Sequence, residues 1–420
     1  MPRKKNTIFE WWFCSKLPAE HIYIKPQDLP HGWLKITYLY IRRWFIHPIK
    51  RRFAKYYLEF LREVSGIKVV GITGSAGKTT TKEMLSSILK LQGKTVSSFA
   101  NIDPIYNIPT TILRCSLKTK YLVLEMGVEY PGEMDFYLWL ANPDVGVVTN
   151  IGPSHTLYFG DTGGVFREKS KLVKSLGKKG VAVLNNQDKL LRKLKNHLRS
   201  KVIWFGNGGE VLSSFEKVNA DFSTSFRLVF NDKKPLFDEI KIPVSGTQFV
   251  TNALAAASAA KSLGFSLNEI KQGIATYQQM DHRMRILKHS SGAIIIDDSY
   301  NNNPLAAKLA IDTLCKVAKE KVKVVVFGDM LELGVWEEKY HKQIGEYIAK
   351  SHINKLVCVG RASFKVGEEA KKVVGSANVS EAESIKEAAA ILEPLLKKGV
   401  YVLVKGSRAV GLDKLIDQLF

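Results

Sequence analysis

Val69-Val-Gly-Ile-Thr-Gly-Ser-Ala-Gly-Lys-Thr-Thr-Thr-Lys-Glu-Met-Leu85 decides the fold. An apolar run ends in a glycine-rich turn, and the turn opens into helix-forming residues, so the stretch reads strand, loop, helix start. Free N–H groups at such a helix start make a cradle for anions, and Gly74 and Gly77 let phosphate oxygens approach the main chain. Lys78 then reaches the outer phosphates and the Thr79 hydroxyl meets Mg²⁺. Five residues separate Gly71 from Gly77, one more than the strict G-x-x-x-x-G-K-[ST] form allows. A tight turn with a surface lysine is the plainer alternative, but Gly-Lys-Thr directly after a buried-looking strand favours a nucleoside triphosphate.

The chain has 420 residues, enough for two or three domains, with an ordinary 45% of hydrophobic residues. Its formal charge of +22 favours anionic partners without choosing among nucleotides, phosphorylated substrates, nucleic acid and membrane. Cys14, Cys115, Cys315 and Cys358 show no C-x-x-C spacing, which argues against a disulfide framework or structural zinc and fits a reducing cytoplasm. The chain shows neither an apolar run long enough to span a bilayer nor a signal-peptide pattern at its start.

Residues 1–65 form a basic, tryptophan-rich segment. Trp11, Trp12, Trp33 and Trp44 alternate with Arg3, Lys4, Lys5, Lys16, Arg42, Arg43, Lys50, Arg51, Arg52 and Lys55. The run Trp33–Ile46 is too short and too charged to cross a bilayer, but aromatic and basic residues together suit its anionic interface. Packing of the aromatics against the next domain is the structural alternative, and nucleic acid is not expected because no nucleic-acid module accompanies the basic residues.

From about 66 onward, strand-like and helix-like stretches alternate, as in a mainly parallel sheet flanked by helices. Expected strands are Ile67–Ile72, Tyr121–Glu125, Val145–Asn150, Val181–Leu184 and Val202–Phe205, with an antiparallel addition at 221–246 and an alanine-rich helix at Phe249–Leu263. A second alternating unit starts at Ala293–Asp298, with strands at Val322–Phe327, Leu356–Val359 and Tyr401–Val404 and helices near 305–318, 337–350, 383–397 and 410–419. The fold class is therefore α/β: a central phosphate-loop ATPase domain with a mainly parallel sheet at 66–286, and a Rossmann-like C-terminal domain at 287–420.

Polar residues gather where expected strands end, the edge of an open α/β sheet at which ligands bind. Glu125 closes one strand beside the phosphate loop and suits Mg²⁺. His155 follows another strand end, where a structural histidine and a ligand are both open readings. Lys169, in Phe166-Arg-Glu-Lys-Ser-Lys171, reads as an ordinary solvated helix lysine. His282-Arg283 lies between the two units, where a guanidinium can bridge to phosphate. Asp298 suits a ribose hydroxyl or a metal.

Gly71–Thr81, Leu124-Glu-Met-Gly127, Asn150-Ile-Gly-Pro-Ser-His155, Asp297-Asp-Ser-Tyr-Asn-Asn-Asn-Pro304, Gly328-Asp-Met-Leu-Glu-Leu-Gly334 and Lys405-Gly-Ser-Arg408 occur in the order seen in the Mur ligases. The chain resembles that family over about 66–420, and most of all those members that add a dipeptide. The resemblance also accounts for the off-pattern loop, since the family uses Thr-Gly-x-x-Gly-Lys-[Thr/Ser].

It implies an ATP-dependent amide ligation of peptidoglycan precursor synthesis. A peptide carboxylate on a nucleotide-sugar carrier becomes an acyl phosphate, and a dipeptide amine of the D-alanyl-D-alanine type displaces phosphate. By resemblance, Thr73, Gly74, Ser75, Ala76, Gly77, Lys78, Thr79 and Thr80, with Asn252, Arg283 and Asp298, bind ATP. Thr79, Glu125, His155 and Lys169, the last as a carbamate, hold Mg²⁺. Lys78, Lys169, His155 and Arg283 carry the chemistry, and Asn301, Lys405, Ser407 and Arg408 meet substrate.

The chain also departs from the pattern. Gln248 stands where relatives carry histidine, Lys171 replaces an acid, Asn101–Asn107 diverges, and the segment before the phosphate loop is shorter than the family's uridine-nucleotide domain. Two alternatives follow: a divergent ligase with another carrier or amino acid, and a membrane-associated ATP-binding protein without ligase activity. The expected location is the cytoplasm, at the inner face of the membrane if 1–65 binds it.

Overall fold

The structure, a computed structural model, describes residues 12, 14, 16–23, 29, 31–99 and 101–420. Arg3, Lys4, Lys5 and Trp11 of the basic N-terminal segment lie outside the described residues.

Two sheets carry the described chain. The first runs through β1 (Lys68–Thr73), β2 (Lys94–Ser97), β3 (Thr119–Glu125), β4 (Val145–Val148), β5 (Val181–Asn185), β6 (Lys201–Phe205), β7 (Val211–Val218), β8 (Thr224–Phe230) and β9 (Leu236–Ile242). Its spatial order is β2-β3-β1-β4-β5-β6-β7-β8-β9. Pairing is parallel from β2 to β7 and antiparallel from β7 to β9. The second sheet, ordered β10-β11-β15-β12-β13-β14, holds β10 (Arg285–Lys288), β11 (Ile294–Asp298), β12 (Val322–Gly328), β13 (Lys355–Val359), β14 (Val379–Ala382) and β15 (Val400–Lys405). Only β10 runs antiparallel there.

β1 is the organising strand because chain order reverses around it, with β3 on one side and β4 on the other. Its side chains alternate between two cores, as the two-residue period of a strand requires. Val70 and Ile72 pack with Met84, Leu85 and Ile88 of helix Lys78–Leu89 and with the alanines of helix Thr247–Ser262. Val69 packs on the other face with Ile105, Ile108, Met134 and Phe136. A loop leaving β1 therefore emerges at a topological switch point.

The N-terminal segment reconciles packing and exposure. Helix Trp33–Ile41, a π turn at Arg42–Ile46 and helix His47–Ser65 follow one another without a break. Pro48 has no N–H to give the Trp44 carbonyl one turn back; the Trp12 indole N–H donates to that carbonyl instead, at 2.7 Å. Ala54, Leu58 and Leu61 share one face and are buried against helices Pro104–Ile112 and Glu133–Leu140. Gly66, at φ +65°, ends the helix in the left-handed conformation. Ile49, Phe53, Tyr56, Phe60 and Val64 recur every three or four residues on the other side and remain exposed. No helix among the described residues is long and apolar enough to cross a membrane.

Several elements escaped the sequence reading. β2, β10 and β14 are four-residue strands at sheet edges, and β7 is half polar and mostly exposed or half-buried, so none shows a clear buried alternation. Helix Phe364–Val374 also went unread, and the helix near 383–397 is Ile385–Leu392 followed by a short 3-10 turn. The boundary expected between 286 and 287 falls inside β10, which pairs with β11 and so belongs to the second sheet.

Candidate active site

At the end of β1 the chain turns sharply over two glycines that tolerate no side chain. A Cβ on Gly74 would lie 1.9 Å from Thr149 Oγ1, and one on Gly77 2.1 Å from Asn252 Oδ1. The turn is braced from β4's end: Ala76 N–H donates to Asn150 Oδ1 at 2.9 Å, while Thr149 Oγ1 donates to the Ala76 carbonyl at 2.6 Å. Ser75 Oγ donates to the Gly152 carbonyl at 2.8 Å. Helix Lys78–Leu89 then starts with no side-chain cap, which leaves its first N–H groups for an anion.

A cavity of about 810 Å³ opens over this turn, and residues of both sheets line it. From the phosphate loop come Ser75 to Thr80, and from the following strand ends Glu125 and His155. Asn252, Arg283, Asp298, Asn301 and Lys405 complete the sequence-expected residues on its wall. Thr73, Gly74, Lys169, Ser407 and Arg408 do not line it. Thr73 lies beneath the loop, fully buried, with its hydroxyl unpartnered among the described residues.

Buried basic side chains gather at the cavity. Burial lowers the Lys78 ammonium below the ordinary lysine range; Glu125 raises it and the nearby Arg283 guanidinium lowers it further. Lys169 is 1% exposed instead of solvated, and its amine is held well below the ordinary range by burial and then by Lys78. Neither lysine is hydrogen-bonded to a carboxylate among the described residues. Arg283 has a buried, unpartnered Nε and lies 4.5 Å from the Tyr300 ring centre. Lys78 and Arg283 side by side are poorly placed for one another and well placed for a polyphosphate.

The donors beside Lys78 suit magnesium. Thr79 Oγ1 and Glu125 Oε1 face each other at 3.0 Å, a hydroxyl and a carboxylate of the hard oxygen type that Mg²⁺ takes, with room for phosphate and water in the cavity. His155 is engaged elsewhere: in a left-handed conformation at φ +53°, it meets Glu332 Oε2 through Nδ1 at 2.5 Å. That contact pulls the Glu332 carboxyl below its usual range. Glu332 lies in the Gly328–Gly334 motif, 177 residues away in sequence.

Other expected residues bond within their own unit, and two contacts join the units. Lys405 is buried and bonds Asp298 Oδ2 at 2.6 Å and the Asn301 carbonyl at 2.9 Å. Ser407 Oγ accepts the Leu331 N–H at 3.1 Å, and Arg408 pairs with Asp413 at 3.4 Å. Gln248 Oε1 accepts from Thr313 Oγ1 at 3.0 Å, and Asn303 Nδ2 donates to the Ser75 carbonyl at 3.3 Å, both across the cleft. Lys171 is held by Asp135 and Glu168 at 2.6 and 2.7 Å. Thr149, Asn150 and Glu332 were missed in sequence as site residues, although the first two end a strand beside β1.

Glu129 lies on the cavity wall with its carboxyl pushed up to about 7 by burial, then by Glu332 and Glu133. The folded protein thus holds a proton that the unfolded chain releases near pH 4.5. Glu129 contributes stability below that pH and loses it as pH rises through 7. Glu129→Gln should therefore flatten the fall in melting temperature between pH 4.5 and 7, measured by thermal unfolding; an unaltered slope would contradict the assignment.

Comparison with known proteins agrees with this geometry. Residues 72–260 match the Mur ligase middle domain, and residues 282–408 match the Mur ligase, glutamate ligase domain. The UDP-N-acetylmuramoyl-tripeptide–D-alanyl-D-alanine ligase of Buchnera aphidicola subsp. Baizongia pistaciae is 32% identical over 86% of this chain and 77% of its own. A crystal structure of MurF from Acinetobacter baumannii superposes with a TM-score of 0.80 at 28% identity, covering 89% of this chain and 80% of that one. MurF from Thermotoga maritima in complex with ADP gives 0.78 at 25% identity, covering 89% and 83%.

Proposed function

This chain belongs to the Mur ligase family, and from that premise we propose that it is an ATP-dependent peptide ligase joining D-alanyl-D-alanine to a UDP-N-acetylmuramoyl-tripeptide. One observation carries the reading: Lys78, buried beside Arg283 and hydrogen-bonded to no carboxylate among the described residues, lines the same cavity as the Thr79–Glu125 pair, at the switch point of the sheet.

Each group has a task. Loop N–H groups and Lys78 hold the β- and γ-phosphates, and Arg283 reaches the γ-phosphate from the junction of the two units. The acceptor carboxylate attacks the γ-phosphorus, a P–O bond to ADP breaks, and an acyl phosphate forms. The dipeptide amine then attacks the acyl carbon, loses a proton and expels phosphate. A carboxylate is a poor electrophile, so phosphorylation supplies the leaving group, and the site's work is positioning and charge neutralisation.

Thr79 and Glu125 would hold Mg²⁺, which neutralises charge on the phosphates when bound. His155 joins them only after leaving Glu332, and Lys169 would add an anionic oxygen as a carbamate. Burial lowers its basicity and so favours the neutral amine, the form that adds to CO₂ with loss of one proton. Asn252 would approach the adenine. The domain limits we favour are 1–65, a central unit from 66 to about 284, and a C-terminal unit beginning at β10.

A screen of carriers and amines with ADP release as readout tests the function. UDP-muramoyl-tripeptide with D-alanyl-D-alanine should give turnover that needs both; turnover independent of either would overturn it.

We place the enzyme in the cytoplasm, with the exposed face of helix His47–Ser65 resting on the inner membrane surface. Phe53, Tyr56 and Phe60 offer apolar contact, and neighbouring Lys and Arg each add about 1 kcal/mol at an anionic surface. Deleting the segment would expose the core under Leu58 and Leu61, so substitution is the better test. Phe53→Glu with Phe60→Glu should abolish cosedimentation with phosphatidylglycerol vesicles at an unchanged melting temperature; undiminished cosedimentation would contradict the contact.

A further inference from the structure

Lys82 is a second lysine of the phosphate-loop helix, one turn beyond Lys78, and the nucleotide chemistry leaves it unused. Its side chain is fully buried and does not line the cavity, which keeps it from phosphate bound there. Lysine is almost never buried so completely unless its charge is paired. Nζ donates to the Ser98 carbonyl at 2.6 Å and lies 2.9 Å from Glu83 Oε1 and 3.9 Å from Glu125 Oε2.

These contacts enclose Glu125 from behind. Ser98 directly follows β2, which pairs with β3, and its Oγ accepts the Glu125 N–H at 3.2 Å. At the tip of the Glu125 side chain the two oxygens are shared out: Thr79 Oγ1 donates to Oε1 at 3.0 Å, and Oε2 faces Lys82. Thr79 and Lys82 stand three residues apart on one face of helix Lys78–Leu89, so a single rigid element sets both contacts.

The Lys78 ammonium is the rival for this carboxylate. A Cβ on Gly127, two residues beyond Glu125, would lie 3.4 Å from Lys78 Cε, and the charges of Glu125 and Lys78 act on each other. Opposite charges attract strongly where water is excluded. Yet no carboxylate among the described residues is hydrogen-bonded to Lys78. A Glu125–Lys78 pair would occupy the carboxylate and cancel the cation that phosphate needs.

We infer that Lys82 is a positioning residue: it holds Glu125 back from Lys78, so that Lys78 stays free for phosphate and Glu125 Oε1 stays beside Thr79 for a divalent cation. The assignment rests on the phosphate-loop part of the ligase reading and deepens it. Lys82 touches neither nucleotide nor acceptor and acts only through Glu125. Glu83, with its side chain 31% exposed, is the solvent-side partner of the same ammonium.

The test is ADP binding to the full chain in EDTA, measured by calorimetry, which reads Lys78 without metal or turnover. Lys82→Gln keeps a donor for the Ser98 carbonyl and removes the charge. It should weaken ADP binding by about tenfold, because Glu125 is then free to pair with Lys78. Glu125→Gln removes the competitor, so adding Lys82→Gln to it should leave the affinity within about twofold of Glu125→Gln alone. A lysine that merely supports the fold would weaken ADP binding equally in both backgrounds. Unchanged affinity in Lys82→Gln, or a loss of about tenfold on adding it to Glu125→Gln, would overturn the inference. If thermal unfolding shows that Lys82→Gln alone does not fold, the comparison within the Glu125→Gln background decides. Absence of ADP binding by the unsubstituted protein, with or without Mg²⁺, would overturn the phosphate-loop reading and the inference with it.

Discussion

Replacing Lys78 with alanine should lower ligase turnover by about a thousandfold and leave the free protein at least as stable. The loss follows from the position of the ammonium at the start of helix Lys78–Leu89, on the cavity wall with the loop N–H groups. It is desolvated beside Arg283, and no anion among the described residues is hydrogen-bonded to it, although Glu125 lies near. An unpartnered cation of this kind destabilises the empty site and becomes favourable only when phosphate arrives. Removing it relieves that strain in the free protein and withdraws charge where the transferring phosphoryl group needs it. Steady-state ADP release and thermal unfolding together check the account; full activity in the variant would remove the phosphate-loop assignment.

Lys169→Ala should be inactive, by a factor of about a hundred or more, and should recover with formate or acetate in the assay. Burial and Lys78 together lower the basicity of the amine, and the residue is 1% exposed. A carbamate there would answer the charge of Lys78, the cation that acts on this amine. A small carboxylate entering the space left by the side chain would restore the missing oxygen ligand. Wild-type rates without additive would take Lys169 out of the site, and inactivity without rescue would assign it a role as an amine.

The legibility of the chain followed the range of the interactions. β1, its glycine turn and the helix after it are local, and Gly74, Gly77 and Lys78 could be read directly because each is fixed by its neighbours in sequence. Glu125 and His155 could be singled out because Glu125 ends β3 and His155 follows the end of β4, the two strands flanking β1. The partner of His155 could not, since Glu332 lies 177 residues away on the other unit. Lys169 has charged neighbours along its helix, so nothing local marks it as buried; packing of that helix against β4 and helix Glu133–Leu140 does so. The first 65 residues carry aromatics on both sides of one long helix, and composition alone could not separate the face around Leu58 and Leu61 from the exposed face around Phe53 and Phe60. Lys405 and Asp298 were read as substrate and nucleotide contacts; in the structure they bond each other, a pairing that a parallel register between β11 and β15 creates.

The most direct measurement follows oxygen. With ATP, D-alanyl-D-alanine and an acceptor tripeptide carrying ¹⁸O in its terminal carboxylate, a carboxylate that attacks the γ-phosphorus and is then displaced leaves one labelled oxygen in the phosphate released. One ¹⁸O in phosphate for each amide formed is the result this account predicts. Unlabelled phosphate accompanying amide formation would contradict it, because the carboxylate would then never have been phosphorylated.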